Sequence, residues 1–421
     1  MIRQLLATSL LGMLATTGAA AQTTYVKAGR MIDVVDGRLR TQQVIVIDGD
    51  RIDRVGAGIA IPAGANVIDL GDATVLPGLI DMHVHLTGDA SAQGYENLAA
   101  SVPRNALFGA ANARRTLNAG FTTVRNVGAG GYADVALRDA IDNGDVIGQR
   151  MRVSGPALGI TGGHCDNNLL PPEYDASSDG VADGPWEIRK KIRQNDKYGA
   201  DLTKFCATGG VLSKGDSVGG QQYTLEEMAT IVTEAHQHGE RVAAHAHGSQ
   251  GIKAAIQAGV DSVEHASLID DDGIRMARDA GTFLVMDIYN DTYILEMGEA
   301  AGFLPESLEK ERMIGQAQRN NFRKAHEAGV RMAFGSDAGV YPHGDNGKQF
   351  AYMVQYGMTP MEAIQAATVD AAELLGWPGD VGAIEPGAYA DLIAVRGNPL
   401  EDIHELEDVQ FVMKGGEVIK H

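Results

Sequence analysis

From residue 75 onward, short β-rich runs recur between helical runs: TVLPGLIDMHVH, FTTVRNV, RMRVSGPAL, ADLTKFCA, RVAAHAHG, VDSVEHAS, TFLVMDIYN and VRMAFGSDA. Eight strands alternating with helices constrain this chain more tightly than any other feature, because the alternation is what a closed parallel sheet with outer helices requires. Gly120, Gly199, Gly239, Gly259, Gly281 and Gly329 precede several of these runs as helix stops. Helix starts are legible too. Thr224 with Glu227, and Thr359-Pro360 with Glu362, have the spacing of capping boxes. The expected fold is α/β, a (β/α)8 TIM-like barrel. An open doubly wound sheet is the alternative, and no GxGxxG element follows the first strand to support it.

The flanks read differently. VIVIDGDRIDRVG near the start and YADLIAVRGNP and VQFVMKGGEVIKH near the end carry short alternating strands with little helical period. Both chain ends are expected to form one small β-sandwich domain, from residues 22–76 and 384–421, beside a barrel of residues 77–383. Three segments interrupt the repeat at the strand ends where barrel enzymes place chemistry: Asp166 to Pro185, Asn290 to Lys310 and Gly339 to Gln349. The long ones are candidate lids.

The first 21 residues run from Arg3 through LLATSLLGMLATT to Ala19-Ala20-Ala21, the pattern of a cleaved export signal, so a periplasmic or secreted protein is expected. The apolar run is short of the ~20 residues a membrane span needs. The formal net charge of -20 favours solubility and repels polyanions, which argues against nucleic acid or an anionic membrane surface as partner. Cys165 and Cys206 are too few for a disulfide framework. Buried thiols are the expectation, with a single bridge between them as the alternative.

Candidate chemistry collects at strand ends. His83 and His85 lie two apart on the first strand, so their imidazoles leave the same face and can meet one ion. His245 and His247 repeat that spacing on the fifth strand, and His265 ends the sixth. Asp337, in Phe334-Gly335-Ser336-Asp337, closes the eighth, where a carboxylate can bind a metal, accept a proton from water and return it to a leaving nitrogen. Lys204, on the fourth strand, is the unusual member. A free amine near pKa 10.4 repels metal ions, whereas a neutral one can take up carbon dioxide as a carbamate able to bridge two cations. A bound divalent ion lowers the pKa of water from about 15.7 to about 7, and a pair about 3.5–4 Å apart can clamp both the attacking and the departing atoms.

With PGLIDMHVH, the strand-four lysine, VAAHAHG, VEHA and GSDAG together, the chain resembles the amidohydrolase superfamily over essentially its mature length, within the imidazolonepropionase-related branch that holds Xaa-Pro dipeptidases, Xaa-Arg/Lys carboxypeptidase-like enzymes and ochratoxin-cleaving amidases. The resemblance implies a carboxylated Lys204 (N6-carboxylysine) bridging two metal ions, usually zinc. It puts His83, His85 and Asp337 on one ion and His245 and His265 on the other. It also implies that His164, in Thr161-Gly162-Gly163-His164, and His247 face the substrate, and that the protein is a homo-oligomer. Two departures touch the pocket loops: Asn126 stands where an aspartate is usual, and Ala207-Thr208-Gly209-Gly210 replaces Ser-Gly-Gly.

The expected activity is hydrolysis of the amide bond of N-acyl amino acids or dipeptides, a range that includes ochratoxin A. A mouth lined by Met286, Tyr289, Tyr293, Leu295 and Tyr341 would take a hydrophobic group. Opening of a cyclic amide, an imidazolone or hydantoin ring, is the alternative in chemistry. A non-catalytic binding protein on the same barrel is the alternative in class, and the complete ligand set argues against it.

Overall fold

The computed structural model of the protein describes residues 23–421; the export signal expected at residues 1–21 lies outside them. The chain opens with β1 (Thr24–Asp33), β2 (Arg38–Asp48), β3 (Arg51–Ala57), β4 (Asn66–Asp69) and β5 (Thr74–Pro77). A strand-helix alternation follows: β6 (Leu79–Val84), α1 (Val102–Asn118), β7 (Phe121–Asn126), α2 (Ala133–Asp142), β8 (Arg150–Val153), α3 (Gly184–Lys197), β9 (Leu202–Cys206), α4 (Leu225–Gln237), β10 (Arg241–Gly248), α5 (Ser249–Ala258), β11 (Ser262–Leu268), α6 (Asp271–Ala280) and β12 (Phe283–Val285). Helices α7 (Asn290–Met297), α8 (Pro305–Glu327), α9 (Lys348–Gln355), α10 (Pro360–Ala366) and α11 (Val369–Leu375) come next, then β13 (Leu392–Val395), β14 (Phe411–Lys414) and β15 (Glu417–Lys420).

Both chain ends share one sheet, in the order β15-β14-β13-β5-β1-β2-β3 with β4 alongside β1. Its buried face carries Val26, Ile45, Ile52, Leu392, Phe411 and Met413, a core separate from that of the repeat. Within the repeat, β6, β7 and β8 pair in parallel, and so do β9, β10, β11 and β12. Single parallel bridges join what lies between: Leu158 to Phe205, Leu284 to Met332, and Val84 to Ala338.

The helix signals read from the sequence are present. Thr224 and Thr359 each accept from the backbone N–H of Glu227 and Glu362 in reciprocal capping boxes. Gly259 and Gly281 end α5 and α6 with φ of 95° and 73°, a left-handed conformation that costs a side-chain-bearing residue energy.

The eighth predicted strand does not form a regular strand. Residues 332–338 instead follow β6 through three backbone bonds, Met82 N–H to Phe334 O at 2.9 Å, Asp337 N–H to His83 O at 2.8 Å and His85 N–H to Ala338 O at 2.8 Å. At the end of this segment Asp337 sits at φ 57°, with its carboxylate towards the histidines of β6. Phe334, clamped between Phe121 and Phe350 with ring centroids 5.2 and 4.6 Å away, anchors the segment. Gly335 has no room for a side chain. An added Cβ would lie 2.3 Å from Val285 Cγ1 and 3.0 Å from His83 Cβ. Gly335→Ala is therefore expected to cost about 1–3 kcal/mol by overpacking, read as a lowered denaturant midpoint.

Candidate active site

The ends of β6, β9, β10 and β11 and the turn at Asp337 open into one cavity of about 440 Å³, within the range of small-molecule sites. It brings together every candidate metal ligand and substrate-facing histidine: His83, His85, His164, Lys204, His245, His247, His265 and Asp337 all line it. All but His85 and His164 are buried. Ligand atoms of His83, His265 and Asp337 lie within 4.8 Å of one another, as do those of His245, His247 and His265. His265 therefore belongs to both groups, and His247 sits with the ligand set rather than apart from it.

Hydrogen bonds decide which ring nitrogens are free. A backbone carbonyl or a carboxylate only accepts, so the imidazole nitrogen facing it must carry the proton and the other nitrogen is a bare lone pair. His265 Nδ1 donates to Asp287 Oδ1 at 2.8 Å, His85 Nδ1 to Gly128 O at 3.3 Å, and His245 Nε2 to Gly209 O at 3.4 Å. His83 Nδ1 faces Glu264 Oε2 at 3.0 Å. The Nε2 atoms of His83 and His85 both face Asp337 Oδ1, from 3.3 and 3.4 Å. Two imidazole nitrogens and a carboxylate oxygen meeting in a buried space are the donor types that suit a divalent metal. The donor set thus fits metal ions.

Sequence reasoning missed the groups behind the ligands. Asp287, just past β12, accepts from His265 and from Asn290, whose other amide hydrogen goes to Asp337 Oδ2 at 2.9 Å. Gln318 of α8 also donates to Asp287. Glu264, adjacent in sequence to His265, is held by Arg125 at 2.8 Å and presents its second oxygen to His83. Asp287 had a signal: it is the polar residue at the end of the seventh run, TFLVMDIYN. Such supports orient a ligand and raise its basicity, so Asp287→Asn is expected to weaken zinc binding about 10–100-fold in a competition titration.

Burial is the first influence on the Lys204 amine and pushes it down to about 8, with Arg125 helping and Glu264 opposing. Burial opposes ionisation of Asp337, yet His83 and His85 hold its carboxyl below the ordinary range. His164, stacked on His245 with centroids 4.1 Å apart, is pushed down to about 4 by burial, against Asp216.

Two expectations need correction. Cys165 and Cys206 are not free thiols but a disulfide, because β9 ends beside the loop that follows β8 and their Cα atoms come within 5.9 Å. The bridge ties His164, one residue before Cys165, to the strand that carries Lys204. Closing a chain separation of 41 residues, it is expected to contribute about 2–4 kcal/mol, measured as the loss in unfolding free energy of Cys165→Ser/Cys206→Ser against the oxidised protein. The second correction concerns the mouth: none of Met286, Tyr289, Tyr293, Leu295 and Tyr341 lines the cavity. Tyr289 and Tyr341 instead pack on each other in the core with centroids 5.0 Å apart, and Leu295 faces outward. The apolar lining includes Val211, Leu212, Ile294, Ile314 and Val340, with Val127, Ala129, Pro156 and Ala157 also on the wall.

The departures from the superfamily pattern also have structural roles. Asn126 accepts from Leu86 N–H at 2.7 Å and donates to Asp134, holding the turn after β6. Gly209 receives His245, and at Gly210 an added Cβ would strike the His164 ring at 2.2 Å.

Residues 74–419 match the amidohydrolase family. The ochratoxinase of Aspergillus niger is 33% identical over 430 residues, covering 95% of this chain and 87% of that one. The imidazolonepropionase of Nocardia farcinica is 26% identical, covering 85% and 86%. Among solved structures, a Xaa-Pro dipeptidase with methionine bound in its active site superposes with a TM-score of 0.87 at 40% identity, over 95% of this chain and all of that one.

Proposed function

This chain belongs to the amidohydrolase family, and on that premise we propose that it is a metal-dependent hydrolase of the amide bond in N-acyl amino acids and dipeptides, ochratoxin A among them. The observation that carries the reading is the convergence of the His83 and His85 nitrogens on Asp337 Oδ1. His83, His85 and Asp337 would hold one ion, His245 and His265 a second, and Lys204, as N6-carboxylysine, would bridge them. A zinc pair supplies an acidified water and polarises the scissile carbonyl. Asp337 takes a proton from the attacking water and passes it to the departing nitrogen, and Asn290 keeps the carboxylate turned towards both. His164 and His247 contact the substrate, and the apolar wall from Val211 to Val340 receives its hydrophobic group.

The same reading takes the paired strands and their three single bridges as a closed (β/α)8 barrel over residues 77–383, with the shared end sheet as its β-sandwich partner from residues 22–76 and 384–421. The Cys165–Cys206 bridge supports export to a periplasmic or extracellular setting, where disulfides persist. A homo-oligomer completes the proposal. The imidazolonepropionase relative favours a second reading, opening of a cyclic amide by the same centre.

Chelation is expected to lower hydrolysis of an N-acyl-phenylalanine by roughly 100-fold or more, with zinc restoring it, and Lys204→Ala to lose both activity and bound metal. Zinc-loaded protein that leaves N-acyl-phenylalanines and dipeptides intact while opening a hydantoin would establish the second reading instead. Protein inert towards all of them would refute both.

A further inference from the structure

His164 is tied to a chain of groups that does not reach the metal ligands through hydrogen bonds. Its Nδ1 lies 2.8 Å from Ser213 Oγ, and Ser213 Oγ lies 2.7 Å from Asp216 Oδ1. Lys310 of α8 completes the chain, with Nζ 2.8 Å from Asp216 Oδ1, 2.7 Å from Ser213 O and 3.0 Å from Gly210 O. Asp216 also draws in Gln222 Nε2 at 3.2 Å, and Gln222 Oε1 accepts the backbone N–H of His164 at 3.0 Å. The loop from Gly210 to Gln222 is thus pinned by one lysine, and it grips His164 by both its backbone and its ring.

The chain has a direction. Lys310 has only protons to give, and the carboxylate of Asp216 beside it only accepts. The single hydroxyl proton of Ser213 goes to one of two groups that only accept, Asp216 Oδ1 at 2.7 Å or Gly210 O at 3.2 Å, and either way the serine oxygen is left to accept. What it accepts is the Nδ1–H of His164. Nε2 of that ring, on a side chain that lines the cavity, is consequently a bare lone pair. His247 also leans on a serine, Ser267 Oγ at 2.8 Å, but no carboxylate hydrogen-bonds to that hydroxyl among the described residues, so its direction is not imposed.

A bare nitrogen cannot donate to a carbonyl or to a carboxylate, the two roles that a substrate-facing histidine would otherwise fill. Stacking on His245 puts the His164 ring at the border of the ligand cluster, where the reacting amide must lie. That amide offers one acceptor, its oxygen, and one donor, its N–H. The geometry points to His164 Nε2 accepting the N–H of the scissile amide, with Ser213, Asp216 and Lys310 as the positioning residues that impose this polarity. The inference rests on the amide-hydrolase reading. In that reaction water adds its oxygen to the carbonyl carbon, the C–N bond breaks, and one water proton reaches the nitrogen while the other stays with the new carboxyl group. As the nitrogen gains its proton its N–H groups become more acidic, so the bond to Nε2 strengthens along the reaction and acts on kcat as well as on KM.

A matched ester removes the donor and little else. Hippuryl-phenylalanine and hippuryl-phenyllactate, assayed on the full-length zinc-loaded enzyme, differ by N–H against O at the scissile position. His164→Ala is expected to lose kcat/KM about tenfold more on the amide than on the ester, with zinc content and the thermal unfolding midpoint at wild-type values showing that the variant is folded and loaded. Ser213→Ala should show the same selective loss in smaller measure, Ser213→Thr should restore it, and Ser213→Ala should add nothing in the His164→Ala background. Equal losses on amide and ester, or additive losses in the double variant, would overturn the assignment while leaving the amidohydrolase reading intact. A wild-type enzyme inert towards the amide would instead refute that reading and this inference with it.

Discussion

The convergence of two imidazoles and a carboxylate inside the protein is the constraint on which this site depends. His83, His85 and Asp337 meet at a common point, and each has a neighbour behind it: Glu264, the carbonyl of Gly128 and the amide of Asn290. The arrangement offers the donor types that suit a divalent cation. The backbone is built to maintain it. Asp337 adopts a left-handed φ, Gly335 allows the segment to approach β6, and Phe334 keeps it in place.

Around that centre the supports divide by direction. From the β12 side, Asp287, Asn290 and Gln318 hold His265 and Asp337. From the β9 side, the disulfide and the loop pinned by Lys310 hold His164. Helix α8 serves both, with Lys310 near its start reaching the loop and Gln318 two turns later reaching Asp287. A single rigid helix therefore spaces the groups behind the ligands from the groups behind the substrate-facing histidine.

Much of this was legible in the sequence for a physical reason. A strand puts alternate residues on one face, so His83 with His85 and His245 with His247 announced their convergence by spacing alone, and seven of the eight strands formed where apolar β-rich runs lay between helix signals. What was not legible depends on contacts distant in the chain. Glu264 reads as a polar strand residue until Arg125 and His83 are seen beside it. Cys165 and Cys206 carry no sign of their approach, and Tyr289 and Tyr341 are aromatic near a strand end whether they line a pocket or fill a core. The eighth run keeps contact with β6 through separate backbone bonds at Phe334, Asp337 and Ala338 rather than a continuous ladder, which an apolar β-rich run does not announce.

The shared end sheet has a consequence for how the chain reaches its folded state. Strand β5 lies between β1, contributed by the first stretch of the polypeptide, and β13, contributed by the last, so its hydrogen-bonding edge stays open until the C-terminal residues have been synthesised. A chain cut short of β13 would display that edge to other chains, so it is the arrival of the C-terminal strands that protects the protein from sticking to its neighbours.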